Sequence, residues 1–518
     1  MRSWNWVFWT LATLVASGTA SAQTPYRVAD LNPGAGNGVD SFHLDGFGFA
    51  LGNTFLFGGT DGAGDEELWR SDGTLAGTVR IADLNPVASA SPSVFFALDA
   101  TRALFRAQHE TEGVELFVTD GTAAGTAYVK DIRPGASGSF LGFGAAVGGV
   151  AFFRATANDG SELWKSDGTD AGTVQVRDIR PGTGGSTPFD FTVAGGQLFF
   201  AANDGSAGTE LWTSDGTELG TQMVIDLNPT GSGNVGELAE FDGEVYFRGN
   251  DGATGTELWK SDGTTTVRIT DVNPGAGGAD VSSLYVYDGF LYFLANDGTT
   301  GREIWRTDGT PGNATRLTDV NPGAGDGVFP SQFCGVNGVL VFSGQDGLNG
   351  RELWATDGTP DTEFLLVEVQ PGAPNGVEFQ SLRCQAGAVY FVGDDGVDGR
   401  EPWTSDGTVA GTRRLSDIQA GAPDGVAFAP GFTAAGSRVF FPASDGATGN
   451  ELWAVGPSAA PVPALSLLGA AGLVALLLGL GMRRSARSRR GSLRSGLLSW
   501  RKEGASTPST GAAHAPTN

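Results

Sequence analysis

The triplet Glu-Leu-Trp, or a close variant, recurs nine times at intervals of 46 to 50 residues, ending at Trp69, Phe117, Trp164, Trp212, Trp259, Trp305, Trp354, Trp403 and Trp453. A period this regular constrains the fold before any other feature does. Each unit must be one supersecondary module that hides its apolar face only by stacking on its neighbours. The chain has 12 Trp, and the eight between residues 23 and 456 all fill this slot, with Phe117 in the ninth. One large ring at a fixed place per unit is what a repeated core requires.

One unit, starting at Gln197, reads QLFFAANDGSAGTELWTSDGTELGTQMVIDLNPTG. Its apolar, aromatic run at 198–201 predicts a strand. Asn203-Asp204-Gly205 predicts a hairpin turn, because these residues accept the positive φ such turns need. Further strands are predicted at 210–214, 223–227 and 237–241, separated by Asp215-Gly216-Thr217 and by a Gly-rich loop after Asn228-Pro229. Leu211 and Trp212 are adjacent, so they point to opposite faces and the sheet must be covered on both sides. The expected fold is therefore all-β, a repeat-built β-propeller of four-stranded blades, nine units by count with eight as the alternative. A β-solenoid is the competing architecture, but it would use fewer Asp-Gly hairpins.

The ends of the repeat array point to a closed ring. The last unit stops at Glu451-Leu452-Trp453-Ala454-Val455 without the D-x-x-P-G strand that follows elsewhere. Tyr26-Arg27-Val28-Ala29-Asp30-Leu31-Asn32-Pro33-Gly34 is that missing strand, so the N-terminal segment is expected to complete the C-terminal blade and remove an open sheet edge.

Residues 1–22 read as a signal peptide. Arg2 precedes an apolar run at 4–16, and Ala20-Ser21-Ala22 supplies the small residues Ala20 and Ala22 that signal peptidase recognises. The propeller is assigned to 23–456 and a Pro/Ala linker to 457–463. Residues 464–482 form a 19-residue run without charge, long enough for a transmembrane helix at about 1.5 Å rise per residue. Arg483, Arg484, Arg487, Arg489 and Arg490 follow, and such a cluster stays in the cytoplasm. The tail at 483–518 reads as basic and then disordered. This topology places the repeat domain outside the cytoplasm, anchored in the membrane or processed to the cell surface.

Between residues 23 and 482 the chain carries 23 basic and 57 acidic residues, a net charge of −34. Phosphate backbones are bound by clustered Lys and Arg, so nucleic acid is excluded as a partner and cations are favoured.

The Asp-Gly turns invite calcium, which takes six to eight oxygen ligands. The metal-ligand candidates are Asp204 with Glu210 and Asp297 with Glu303, although plain hairpin chemistry also accounts for these residues. No other cofactor is implied. The Glu of each triplet occurs in all nine units, which argues for a structural role accepting backbone N–H bonds rather than for a unique catalytic acid. Of the three His residues, His514 lies in the tail, and His43 and His109 show no metal-ligand spacing. No catalytic residue is expected. Cys334 and Cys384 stand 50 residues apart, about one repeat, and a disulfide between them requires the ring's axis, where matching positions of adjacent blades approach within about 7 Å.

The units Glu162-Leu163-Trp164-Lys165-Ser166-Asp167-Gly168-Thr169 and Glu210-Leu211-Trp212-Thr213-Ser214-Asp215-Gly216-Thr217, each followed by Gly-Thr, resemble the bacterial ELWxxDGT repeat proteins. The resemblance covers about 28 to 455. It implies export and brings no established activity. Val462-Pro463-Ala464-Leu465-Ser466, followed by the apolar run and the arginines, resembles the sorting signals of the IPTL-CTERM and PEP-CTERM kind, with Ala464 where that pattern has Thr. That resemblance implies an exosortase-like processing enzyme as a partner.

The functional expectation is a non-catalytic adhesion or scaffold propeller of the cell envelope with an unknown surface ligand. A propeller hydrolase or lyase acting on glycans and a calcium-stabilised adhesin are the alternatives. Several non-repeated carboxylates, or His43, converging at the mouth of the ring would favour an enzyme.

Overall fold

Each Glu-Leu-Trp triplet lies on the third strand of a four-stranded antiparallel sheet, and nine such sheets follow one another along the chain. The computed structural model describes residues 24–39, 48–330, 332–427 and 431–456. The expected signal peptide with Ala20 and Ala22, the linker, Val462 to Ser466, the apolar run 464–482, the tail and His43 lie outside them. Among the described residues no helix is long and apolar enough to cross a membrane.

The fourth blade shows the pattern: Phe189–Ala194, Gln197–Asn203, Thr209–Ser214 and Gln222–Ile225, hydrogen-bonded in that order. The predicted 237–241 strand exists as Gly236–Phe241, but it opens the fifth blade instead of completing the fourth. The sequence repeat is thus offset from the blade by one strand. The cause is the long Gly-rich loop, which crosses to the next sheet rather than making a hairpin.

Side-chain alternation on the third strand builds the ring. Leu211 packs into the core between the fourth and fifth blades, while Trp212 packs into the core between the third and fourth. Leu163 and Trp164 divide in the same way, one interface earlier. Nine apolar clusters result, one for each pair of neighbouring blades, including the ninth against the first, where Phe55 stacks on Phe440 at 4.8 Å. A closed ring of nine blades follows. Where the repeat has Phe117 instead of Trp, Tyr128 meets its ring edge-on at 5.5 Å and His109 lies 4.6 Å from Tyr128, filling the space a larger indole would take.

The closing strand is Tyr26–Ala29, paired with Asn450–Val455 as the outermost strand of the last blade. The sequence expectation of closure is met at the level of individual pairs: Tyr26 opposite Ala454 and Arg27 opposite Trp453.

The recurrent glutamate is the second structural constant. All nine are 1% exposed or less. In each unit one carboxylate oxygen accepts the N–H of a residue in the D-x-x-P-G segment, as Glu210 does from Leu227 at 2.9 Å and Glu162 from Ile179 at 3.0 Å. Glu451 accepts from Leu31 at 2.8 Å, so the same bond seals the ring between the two ends of the array. A buried backbone donor without a partner is costly, and the carboxylate supplies that partner where the chain leaves the sheet.

The Ser-Asp-Gly-Thr-x-x-Gly-Thr segment is a closed hydrogen-bond circuit. Asp167 Oδ1 accepts the Thr169 N–H at 2.9 Å and its hydroxyl at 2.7 Å, the Gly172 N–H reaches Thr169 Oγ1 at 3.0 Å, and Ser166 and Thr173 hydroxyls meet at 2.7 Å. Gly168 sits at φ 87°, which favours glycine. The second glycine is required by space, since a Cβ on Gly172 would lie 2.1 Å from Asp167 Oδ1. Gly172→Ala is therefore expected to cost about 1–3 kcal/mol, measured as a lower denaturation midpoint with unchanged slope. A loss below about 0.5 kcal/mol would show that the turn relaxes freely.

Candidate functional site at the mouth of the channel

Because the motif residues are absorbed by the frame, function must be sought where the units differ. The first strand of each blade is innermost, and in most neighbouring pairs these strands touch each other around the axis. In four blades that strand begins with a bulge and a non-glycine residue in the left-handed region: Val94 (φ 51°), Asp190 (φ 55°), Glu237 (φ 55°) and Ser283 (φ 55°). Such conformations are strained by about 1–3 kcal/mol each and concentrate where side chains are held for a purpose.

The bulges are stitched to one another. Asp190 Oδ2 accepts the backbone N–H of Glu237 at 2.7 Å, and Glu237 Oε2 accepts that of Ser283 at 3.0 Å. The lateral links continue through Tyr285, whose hydroxyl accepts the Gly335 N–H at 3.1 Å, and then through the bond joining Cys334 to Cys384, with Cα atoms 5.2 Å apart. The cysteines lie on the innermost strands of adjacent blades, Cys334–Val336 and Arg383–Gln385, the position near the axis that the sequence argument required.

Inside this stitched arc lies a cavity of about 730 Å³, walled by Glu237, Tyr285, Gln332, Gln380 and Arg383. Its walls come from four different blades, so it belongs to the ring's interior and to no single interface. Glu237 is half-buried. Burial raises its carboxyl above the ordinary glutamate value and Asp190 adds to the rise, while the Arg248 guanidinium and the Ser283 N–H oppose it. A carboxyl so placed holds its proton to higher pH than a surface glutamate and can deliver it to a bound molecule.

The calcium candidates are arranged differently. Asp204 Oδ1 accepts the N–H groups of Ser206 and Ala207, each at 2.8 Å, while Glu210 is buried on Leu227 and Gly233. Asp297 Oδ1 accepts N–H bonds from Thr299 and Thr300 in its own turn, and Glu303 is buried on Thr318 and Val320. None of the four belongs to the acidic group of three whose oxygens lie within 4.8 Å of one another among the described residues, Asp65, Glu67 and Asp83. There the Arg80 guanidinium is already 3.2 Å from both Asp65 and Asp83.

Sequence reasoning missed Asp190, Glu237 and Arg383. Their signal was available as departures from the repeat at the start of the strand that opens a blade. Convergence could not be read there, because it depends on which strands face the axis.

No family model matches the chain, and no curated protein does. Among solved structures, it is similar to the dihydro-heme d1 dehydrogenase NirN (13% identity, TM-score 0.41, covering 77% of this chain and 78% of that one). It is also similar to a puromycin-hydrolyzing peptidase of Mycobacterium tuberculosis (12%, 0.38, 68% and 58%) and to a puromycin hydrolase (15%, 0.34, 56% and 48%). The chain thus spans about half the length of the puromycin hydrolase. At this level the likeness carries no activity from those proteins to this chain. The expectation of a non-catalytic adhesion or scaffold propeller is nevertheless corrected. Against it stand two acidic side chains at the start of neighbouring inner strands, Asp190 and Glu237, the second of them at the wall of the cavity.

Proposed function

We propose that this protein is an exported propeller enzyme that performs acid–base chemistry on a small polar molecule in the cavity at the channel mouth, with Glu237 as the proton-carrying group. One observation carries the reading. Glu237 is a carboxyl whose place in the unit is acidic in one other blade, at Asp190, and it is held by a strained bulge and the Ser283 N–H at the wall of the ring's interior cavity. A buried, pKa-raised carboxyl in a cleft with converging polar groups is the physical signature of an acid–base site. Asp190 acts as a positioning residue, since it holds the backbone of Glu237. Export is supported by the leader-like residues 1–22, and anchoring by the run at 464–482.

The test is turnover by the purified full-length chain on a panel of aryl esters, amides, lactones and glycosides between pH 4 and 9. At least one substrate class is expected to be cleaved, with kcat falling as pH rises through the raised carboxyl. Glu237→Gln is expected to lower kcat by about 100-fold or more with an unchanged melting temperature. Absence of turnover across the panel, or a Glu237→Gln variant as active as the parent, would sink the proposal.

A further inference from the structure

One arginine, Arg383, walls the cavity from the innermost strand of the eighth blade. Arg27, Arg80, Arg102, Arg268, Arg302, Arg316, Arg400 and Arg414 each pair with an aspartate. Arg383 pairs with no carboxylate among the described residues. Its Nη1 donates to the backbone oxygens of Gln380 and Leu382, at 2.7 and 2.8 Å. Gln380 itself is a non-glycine residue at φ 57°, so the peptide that receives the guanidinium is held in a strained conformation. Burial lowers the pKa of Arg383, and no acidic neighbour opposes the shift. A half-buried guanidinium without a carboxylate partner is costly to hold unless it gains one.

Arg383 walls the cavity described above, where a partner can reach it. We infer that Arg383 is the anchor for the carboxylate of a small hydroxylated acid bound in the channel-mouth cavity. This deepens the reading above, because it names the substrate class for the site of Glu237. Three properties select that class. Guanidinium and carboxylate match as planar partners, and the match is strongest where water is excluded. A single arginine balances one negative charge, whereas a phosphate dianion would be left undercompensated. The amide side chains of Gln332 and Gln380, with the Tyr285 hydroxyl, offer both donors and acceptors, which suits a hydroxylated body better than an apolar one.

Binding to the full-length chain is measured by saturation-transfer NMR and calorimetry, with D-glucuronate and D-gluconate as probes and glucose and inorganic phosphate as comparisons. Saturable binding of at least one of the two carboxylates is expected, with glucose at least about tenfold weaker. Arg383→Gln is expected to lower the carboxylate's affinity by about tenfold or more, and Arg383→Lys by less. If Arg383→Gln does not fold, Arg383→Lys decides, and an affinity equal to the parent's overturns the proposal. Equal binding of glucose, tighter binding of phosphate, or no binding by either carboxylate overturns it as well. Arg383-dependent binding without turnover of any substrate would leave this inference standing and sink the enzyme reading. Turnover that depends on Glu237 but ignores Arg383 would do the reverse.

Discussion

Deletion of residues 24–39 is expected to abolish the single cooperative unfolding transition, or to lower the melting temperature by more than about 15 °C. The segment joins the two ends of the repeat array by several independent means. Tyr26–Ala29 fills the outer place of the ninth blade, and Leu31 gives its N–H to Glu451. Val28, Leu31 and Val39, each 8% exposed or less, pack with Phe55, Phe440 and Leu452 at the junction of first and last blades. Tyr26 donates to the Gly73 oxygen at 3.1 Å and accepts from Arg438 Nε at 3.0 Å, tying both blades together. Three large apolar side chains buried this well contribute roughly 5–8 kcal/mol, comparable with the 5–15 kcal/mol that holds a typical domain folded. The deleted protein also presents an unpaired edge along Asn450–Val455, so soluble aggregates are expected alongside. Calorimetry and light scattering check both outcomes. A melting temperature within about 3 °C of the parent would mean that the ring closes without this strand.

The second large effect is on pH. The melting temperature is expected to be highest near pH 4–5 and to fall by about 5 °C or more by pH 8. Burial raises the carboxyls of Glu115, Glu303, Glu352, Glu401 and Glu451 to about 7, because desolvation outweighs the backbone N–H bonds they accept. Burial moves Glu67, Glu162, Glu210 and Glu257 in the same direction. An acid whose folded pKa exceeds its unfolded value binds more protons in the native state. Stability therefore declines as pH rises from the ordinary glutamate value near 4.5 through about 7, and levels off above that. The turn aspartates oppose this at the acid end. Hydrogen bonds from Thr101 and Thr264 hold Asp99 and Asp262 down at about 2, so their contribution is present above roughly pH 4 and lost as pH falls toward 2. The optimum lies between the two families of carboxylates. Glu303→Gln removes one titrating group while keeping a hydrogen-bond acceptor, and is expected to flatten the decline between pH 5 and 8. A melting temperature that rises steadily from pH 5 to 8 would refute the assignment of raised carboxyls.

Part of this protein was legible in the order of its residues. Strand length, hairpin chemistry and alternation of Leu with Trp are local properties, governed by backbone φ, by the two-residue period of a strand and by the need to cover both faces. They suffice for four-stranded blades, and the N-terminal copy of the D-x-x-P-G strand suffices for closure. The same locality explains the one misplacement in the frame. Nothing within residues 237–241 says whether the strand ends one sheet or begins the next, because the answer depends on where the Gly-rich loop carries the chain.

The site is of the other kind. Asp190, Glu237, Ser283 and Arg383 are spread over nearly 200 residues, and each is unremarkable in its own unit. Glu237, Ser283 and Arg383 line one cavity because the first strand of every blade faces the axis, and Asp190 reaches them through its bond to the Glu237 backbone. The unpaired charge of Arg383 and the raised carboxyl of Glu237 are likewise products of surroundings: desolvation and the distance to other charges exist only once the ring is closed. Sequence alone determined the repeated frame, since its rules act between neighbours along the chain. The tertiary structure alone decided which of the non-repeated residues share a space, because proximity across the axis has no counterpart in the linear order.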